Sequence, residues 1–263
     1  MNHFSSKFSK AGLPVPEQVL IIDTETTDLE HKQGQVVEIG AILYSVKHQT
    51  TIQQFSTVLR ANSNPTEHFN RINPEALSEI KVKQAAWGVS IVTAMAEQGD
   101  FIVAHNAKFH KNWFGSFENG SSALPLLLNS QGKPLSWLCT DEDFCWPRQT
   151  KYGRSLISLA IAHDIAVFEP HRALSQCQLI ADLFNRMENL QAMFEKALRP
   201  KALFRALVDY KDREQAKCVG FKWIPDRKSW ERKMAIEDVK ELPFPVELIA
   251  LCNDWPMPQQ QLK

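Results

Sequence analysis

The chain has 263 residues, 30 Lys and Arg against 30 Asp and Glu, and 44% hydrophobic residues. That length holds one domain with a full core plus a smaller module, and the zero formal charge by itself points to no polyanion partner. The balance hides an asymmetry: residues 196–263 carry 14 basic and 10 acidic side chains, leaving 16 basic and 20 acidic in residues 1–195. No apolar run approaches the roughly 18 residues a membrane span needs, and the polar start Met1–Lys10 lacks a signal-peptide core. Residues 1–16 read as a leader. The cysteines, Cys139, Cys145, Cys177, Cys218 and Cys252, are scattered and form no CxxC pair, which suits reduced thiols and a cytoplasmic location with no membrane partner.

In chain order, strands are expected near Val19–Asp23, Val36–Val46 and Thr51–Leu59, as an antiparallel meander. The first is an apolar run ending on Asp23 and Glu25, whose i, i+2 spacing puts both carboxylates on one face. Two negative charges at the end of a core strand call for a neutralising cation, and a divalent metal with oxygen ligands is the natural one. The alternative is a strand followed by an acidic turn. Apolar residues at 85, 86, 89, 92, 95 and 96 mark a helix over Val82–Gln98. A short buried strand at Phe101–Ala104 precedes a helix over Ala107–Phe117, a loop to Lys133 and a strand over Leu135–Thr140. Asp141 and Asp143 look like first-turn acids of a following helix. Helices are expected near Leu156–His163 and Ala173–Glu188, with a connecting helix over Met187–Leu198. Strands followed by strand–helix alternation indicate an α/β domain over residues 17–195, ended by Arg199-Pro200.

Several segments, in order, resemble the DnaQ-like (DEDDh) 3′–5′ exonucleases. Asp23-Thr24-Glu25-Thr26-Thr27 with Val36-Val37-Glu38-Ile39-Gly40-Ala41 is similar to the first motif of that family. Arg71-Ile72-Asn73-Pro74-Glu75-Ala76-Leu77 resembles the segment before its long helix, and Phe101–Phe109 its second motif. Trp137-Leu138-Cys139-Thr140 and Ser155–Leu159 look like the strand and helix before the third, and His171-Arg172-Ala173-Leu174 resembles the third. The resemblance implies an RNase H-like fold, a mixed sheet flanked by helices. It also implies a magnesium or manganese cofactor on Asp23 and Glu25, His171 as the base, and a nucleic-acid 3′ end as substrate. Thr26, His105, Asn106 and Phe109 would contact that substrate.

The departures carry more information. Where the family has an Asp after the second-motif Phe, this chain has His110; five residues after the third-motif His, it has Gln176 in place of a metal-ligating Asp. A carboxylate about 4 Å from a divalent ion contributes on the order of 8 kcal/mol gross at an effective dielectric near 20, before dehydration costs. Losing two such charges from a two-metal hydrolytic site should weaken magnesium binding severely. Gln176 offers an amide oxygen without charge. A solvated or hydrogen-bonded role is favoured for His110 over ligation. Asp182, six residues past Gln176 on one helix, lies about 120° round and 9 Å along, too far to substitute. Asp28 and Glu30 sit in the loop after the first motif, where an exposed turn is their expected role. The expectation is therefore an exonuclease-like protein with absent or weak magnesium-dependent hydrolysis. An exonuclease with unusual ligands, and an interaction scaffold that no longer binds nucleic acid, are the alternatives.

Residues 196–263 read as a small basic α+β module: a strand over Ala202–Tyr210, a short helix from Asp212 ended by Gly220, and a hairpin turning at Ile224–Lys228. This segment is similar to an uncharacterised module marked by a lysine, a glycine and two tryptophans, often joined to DNA-handling proteins. Lys222, Trp223, Arg227, Lys228, Trp230, Arg232 and Lys233 interleave aromatics with cations, as single-strand binding surfaces do. The alternative is that at least one Trp, with Phe221, fills the core of the module and the cations form an ordinary solvated face.

Overall fold

A computed structural model describes residues 14–115, 124–148 and 155–251. They fall into two compact units, one spanning Val15–Phe194 and the other built from Glu195 onward.

The larger unit holds a five-stranded sheet in the order β3-β2-β1-β4-β5. Strands β1 (Gln18–Thr26), β2 (Val36–Ser45) and β3 (Thr50–Val58) form the antiparallel meander. The strand β4 (Phe101–Ala104) joins β1 in parallel, and β5 (Ser136–Cys139) joins β4 in parallel. Strand β2 is buried along its whole length, which its near-continuous apolar sequence requires. Before β4 come α1 (Glu67–Asn70), α2 (Pro74–Glu79) and α3 (Val82–Ala96). Helix α2 starts where Asn73 accepts a hydrogen bond from the Ala76 amide, with proline at the first helical position. After β4 come α4 (Ala107–Lys111), α5 (Leu156–Ala162), α6 (Ala173–Asn185) and α7 (Leu190–Ala197). Leu20, Ile22, Ile39, Leu43, Val92, Met95 and Ile102 form the core between sheet and α3.

Helix α6 crosses the meander at Gly40, where a Cβ would lie 2.4 Å from the Ala173 carbonyl carbon. Only glycine permits that approach. Gly40 is the register partner of Asp23, so the close crossing sets the first turn of α6 beside the first carboxylate.

The smaller unit is a four-stranded antiparallel sheet in the order β7-β8-β6-β9. Its strands are β6 (Lys201–Ala206), β7 (Lys222–Ile224), β8 (Ser229–Ala235) and β9 (Val246–Leu251), with α8 (Arg213–Cys218) between the first two. Gly220, at φ +86°, ends that helix. Ala202, Phe204, Ala216, Phe221 and Met234 make its core, with Trp230 packed against them.

Several expectations shift. Strand β1 runs through both carboxylates rather than ending on them, because Asp23 pairs with Gly40 and Glu25 with Glu38. The strand expected over 202–210 stops at Ala206, and Tyr210–Asp212 form a 3-10 turn. The helix expected over 107–117 ends at Lys111, and residues 116 and 117 lie outside those described. No helix opens at Asp141: residues 140–143 are a turn, closed by Asp143 Oδ2 accepting the Cys139 amide at 2.7 Å. Strand β9 was not anticipated. Cys139, Cys145, Cys177 and Cys218 are free thiols, while Cys252 lies outside the described residues. No helix among those described is long and apolar enough to cross a membrane.

Candidate active site

A cleft of about 640 Å³ opens in the larger unit. Strand β1 supplies Asp23, Thr24 and Glu25; the end of β4 and α4 supply His105, Asn106, Phe109 and His110; α6 and the residue two before it supply Gln176 and His171. Asp141 lines it too, as do Ser155, Leu156 and Ile157. Asp23, Glu25, His105, Asn106, Phe109, His110, His171 and Gln176 are thus brought together. Thr26 is not among the lining residues: its hydroxyl donates to the Asp28 carbonyl at 2.7 Å, closing the turn after the strand. Asp28 and Glu30 belong to that turn, the Glu30 amide donating to Asp28 Oδ1 at 2.8 Å, and do not line the cleft.

The strand wall is charge-stressed. Burial, then repulsion from Glu25 and Glu38, holds the Asp23 carboxyl well above the usual carboxylate range. Burial and Glu38 push Glu25 up to about 7, against the opposing pull of Arg172. Such a pair favours whatever brings positive charge or a proton donor to it.

His110 supplies the donor. Its Nδ1 accepts the Thr24 amide at 3.1 Å and lies 2.8 Å from the Thr24 hydroxyl. A backbone amide only donates, so the neutral ring carries its proton on Nε2, 3.3 Å from Asp23 Oδ1. Burial pushes the imidazole down to about 4, a hydrogen bond to the His105 backbone pulling the other way. The contact therefore sets a neutral ring N–H beside the Asp23 carboxyl and is not an ion pair. Phe109 packs edge-on against that ring, centroids 5.2 Å apart, and also contacts Trp113, so it serves the core as well as the cleft.

His171 stands in the left-handed region at φ +65°, exposed, just before α6. Its neighbour Arg172 makes a two-pronged contact with Glu38, both hydrogen bonds at 2.9 Å. The buried Glu38 carboxylate also accepts the Ala173 amide and the Ser56 hydroxyl, so it caps α6 and ties His171 to β2. Phe69 meets the His171 ring edge-on at 6.2 Å. His105 Nδ1 lies 2.9 Å from the Thr140 hydroxyl, which fixes its ring plane. Asn106 begins α4 in the left-handed region at φ 56°. Gln176 Oε1 is buried with no hydrogen-bond partner among the described residues.

Asp23 and Glu25 are the carboxylates on the strand wall, Gln176 adds a neutral oxygen, and both nitrogens of His110 are engaged. Asp141 lines the cleft from the β5 side, yet no group of three or more acidic, His or Cys side chains among the described residues has metal-site geometry.

Over 171 residues, 63% of this chain, the sequence is 26% identical to the DNA polymerase III subunit epsilon of Treponema pallidum and covers 74% of it. It is 24% identical over 184 residues to a PolC-type DNA polymerase III of Caldanaerobacter subterraneus subsp. tengcongensis, but spans only 12% of that protein. The nuclease domain of 3′hExo, described as a DEDDh family member bound to rAMP, superposes with a TM-score of 0.50 at 15% identity, over 68% of this chain and 94% of that domain. The chain has the DnaQ-like, RNase H-like exonuclease fold. An exonuclease I structure superposes with a TM-score of 0.52 at 13% identity, over 92% of this chain and 64% of that one. Residues 202–249, outside the DnaQ-like unit, match a domain of unknown function, DUF8626.

In that small unit Trp223 and Trp230 are register partners with ring centroids 5.7 Å apart. Trp230 packs against the core, whereas Trp223 is 47% exposed. Lys222 and Lys228 are exposed, Lys228 at the hairpin turn, and Lys233 is half-buried on β8. Arg227 and Arg232 are among the candidate cations with contacts inside the unit. Arg227 binds the buried Glu231 carboxylate through both prongs, at 2.7 and 2.5 Å, and Arg232 donates to the Val219 carbonyl.

Proposed function

We propose that the cleft receives the 3′ end of a nucleic acid and that hydrolysis with magnesium is absent or weak. The observation that supports this reading is that Asp23, Glu25 and His171 line one cleft together with His110 and Gln176, the two residues that stand where the family resemblance implies acids. Burying two carboxylates side by side is costly unless a ligand or a donor uses them. His105, Asn106 and Phe109 offer the ring faces and amide that orient a terminal base. His171 is placed to take a proton from a water at the mouth of the cleft, on a backbone fixed by Arg172 and Glu38. With no second pair of charges to stabilise a leaving oxygen, that proton transfer alone gives little rate.

The smaller unit, in this reading, adds affinity through Trp223 stacking and through Lys228 at the hairpin turn. Arg227 and Arg232 drop out because they hold the unit together. A second reading, an active 3′–5′ exonuclease, is favoured by Asp141, a carboxylate at the cleft that a manganese ion could recruit.

Fluorescence anisotropy with single strands ending in 3′-hydroxyl or a 3′-blocking group tests the first reading. Preference for the free 3′ end, weakened by His105→Ala, supports it; equal affinity for both ends contradicts it.

A further inference from the structure

We propose that His110 takes the place of a cation over Asp23, so that the cleft engages a nucleic-acid 3′ terminus without a divalent ion. This rests on the reading of the cleft as a 3′-end site, but the argument is about the imidazole itself. A metal needs a nitrogen lone pair. The Nδ1 lone pair points at the Thr24 amide, a partner that cannot turn away because it belongs to β1. The Nε2 position carries the ring proton and faces Asp23 Oδ1. Moving the proton to Nδ1 would set N–H against N–H at Thr24, and rotating the ring by 180° would turn Cδ2 to that amide and leave it without its acceptor. Phe109 packs against the ring and Asp23 is 6% exposed, as is His110, so neither partner has room to swing out. An arriving ion could use neither nitrogen of His110 without breaking the Thr24 contact or displacing the Nε2 proton from beside Asp23.

The same contact does part of what an ion would do. It gives the buried Asp23 oxygen a donor and holds the carboxyl in position on the floor of the cleft. Gln176 is consistent with it: an amide on α6 can donate to, or accept from, a sugar hydroxyl, and its buried Oε1 has no partner of its own among the described residues. The site would then recognise the terminal sugar by hydrogen bonds rather than through a bridging metal.

The test uses the full chain. Long-range nitrogen–proton NMR of the histidines should show His110 as the neutral ring protonated at Nε2, and manganese titration followed by electron paramagnetic resonance should show no site tighter than millimolar. Anisotropy with a 3′-hydroxyl single strand should give affinities within about twofold in chelator and in manganese. His110→Asp should tighten manganese binding by about tenfold or more and make strand affinity depend on it. A micromolar manganese site in the unmodified protein, or a proton on Nδ1, would overturn the proposal. If the strand fails to bind under any condition, the 3′-end reading falls, while the titration and the NMR still decide the role of His110. Should His110→Asp not fold, those two measurements on the unmodified chain suffice.

Discussion

The two walls of the cleft differ in kind. The strand wall presents Asp23 and Glu25, held in a continuous ladder opposite Gly40 and Glu38; the helix wall, from α4 and α6, presents His110 and Gln176. The strand residues are fixed by backbone pairing and keep raised carboxyl pKa values. The helix residues are neutral and donor-bearing, and one of them already satisfies its opposite number. In the proposed reading, the rigid strand side keeps the carboxylates of a hydrolytic centre while the helix side changes the charge balance. In that reading, the helix wall decides between a metal site and a hydrogen-bonding site.

Breaking the frame that holds the walls together should have the largest effect. Gly40→Val drives a side chain into the Ala173 backbone and should cost about 3 kcal/mol or more in denaturant unfolding, while separating His171 and Gln176 from β1. Glu38→Ala is next. It strips Arg172 and the α6 N-terminus of their acceptor and should cost about 2 kcal/mol, offset in part by relief of repulsion on Glu25. His171 should then lose its fixed position, visible as broadened ring resonances.

Converting the helix wall sharpens the comparison. His110→Asp with Gln176→Asp restores four carboxylates, and a melting temperature that rises with manganese is expected; at a hundredfold excess over Kd the gain is about 2.7 kcal/mol. The two changes should be non-additive because they serve one cluster. Absence of any metal-dependent rise in a folded double variant would mean the difference between the walls reaches beyond these two positions. The smallest effect is expected outside the cleft. Trp223→Ala should weaken single-strand binding by about 1 kcal/mol without changing the melting temperature, and Lys228→Ala should reduce the salt slope by about one. Trp230→Ala, whose ring packs against the core, should instead lower the melting temperature of the smaller unit. If both tryptophans act only on stability, the nucleic-acid role of that unit is lost.

Much of this arrangement is legible in the chain. The meander, the parallel β4 and β5 and the placing of Asp23, Glu25, His110, His171 and Gln176 in one cleft follow from apolar runs and motif order. Asp141 was missed because a pair of acids after a strand suits a helix start as well as a turn, and only the Asp143 contact to the Cys139 amide decides between them. The role of Glu38 had a signal: a lone acid inside an otherwise apolar run implies a buried partner, and Arg172 is 134 residues away in sequence. Thr26 looked like part of the motif, but its hydroxyl is spent on a local turn. Strand β9 follows Pro245 in a run too short to separate from a loop without its partner β6. Each of these depends on a contact that one-dimensional pattern does not carry.

The most direct measurement is a time course of a 3′-labelled single-stranded oligonucleotide with the unmodified protein in magnesium. The account predicts that the strand is bound and stays at or near full length. Progressive shortening from the 3′ end, abolished by Asp23→Ala, would contradict it.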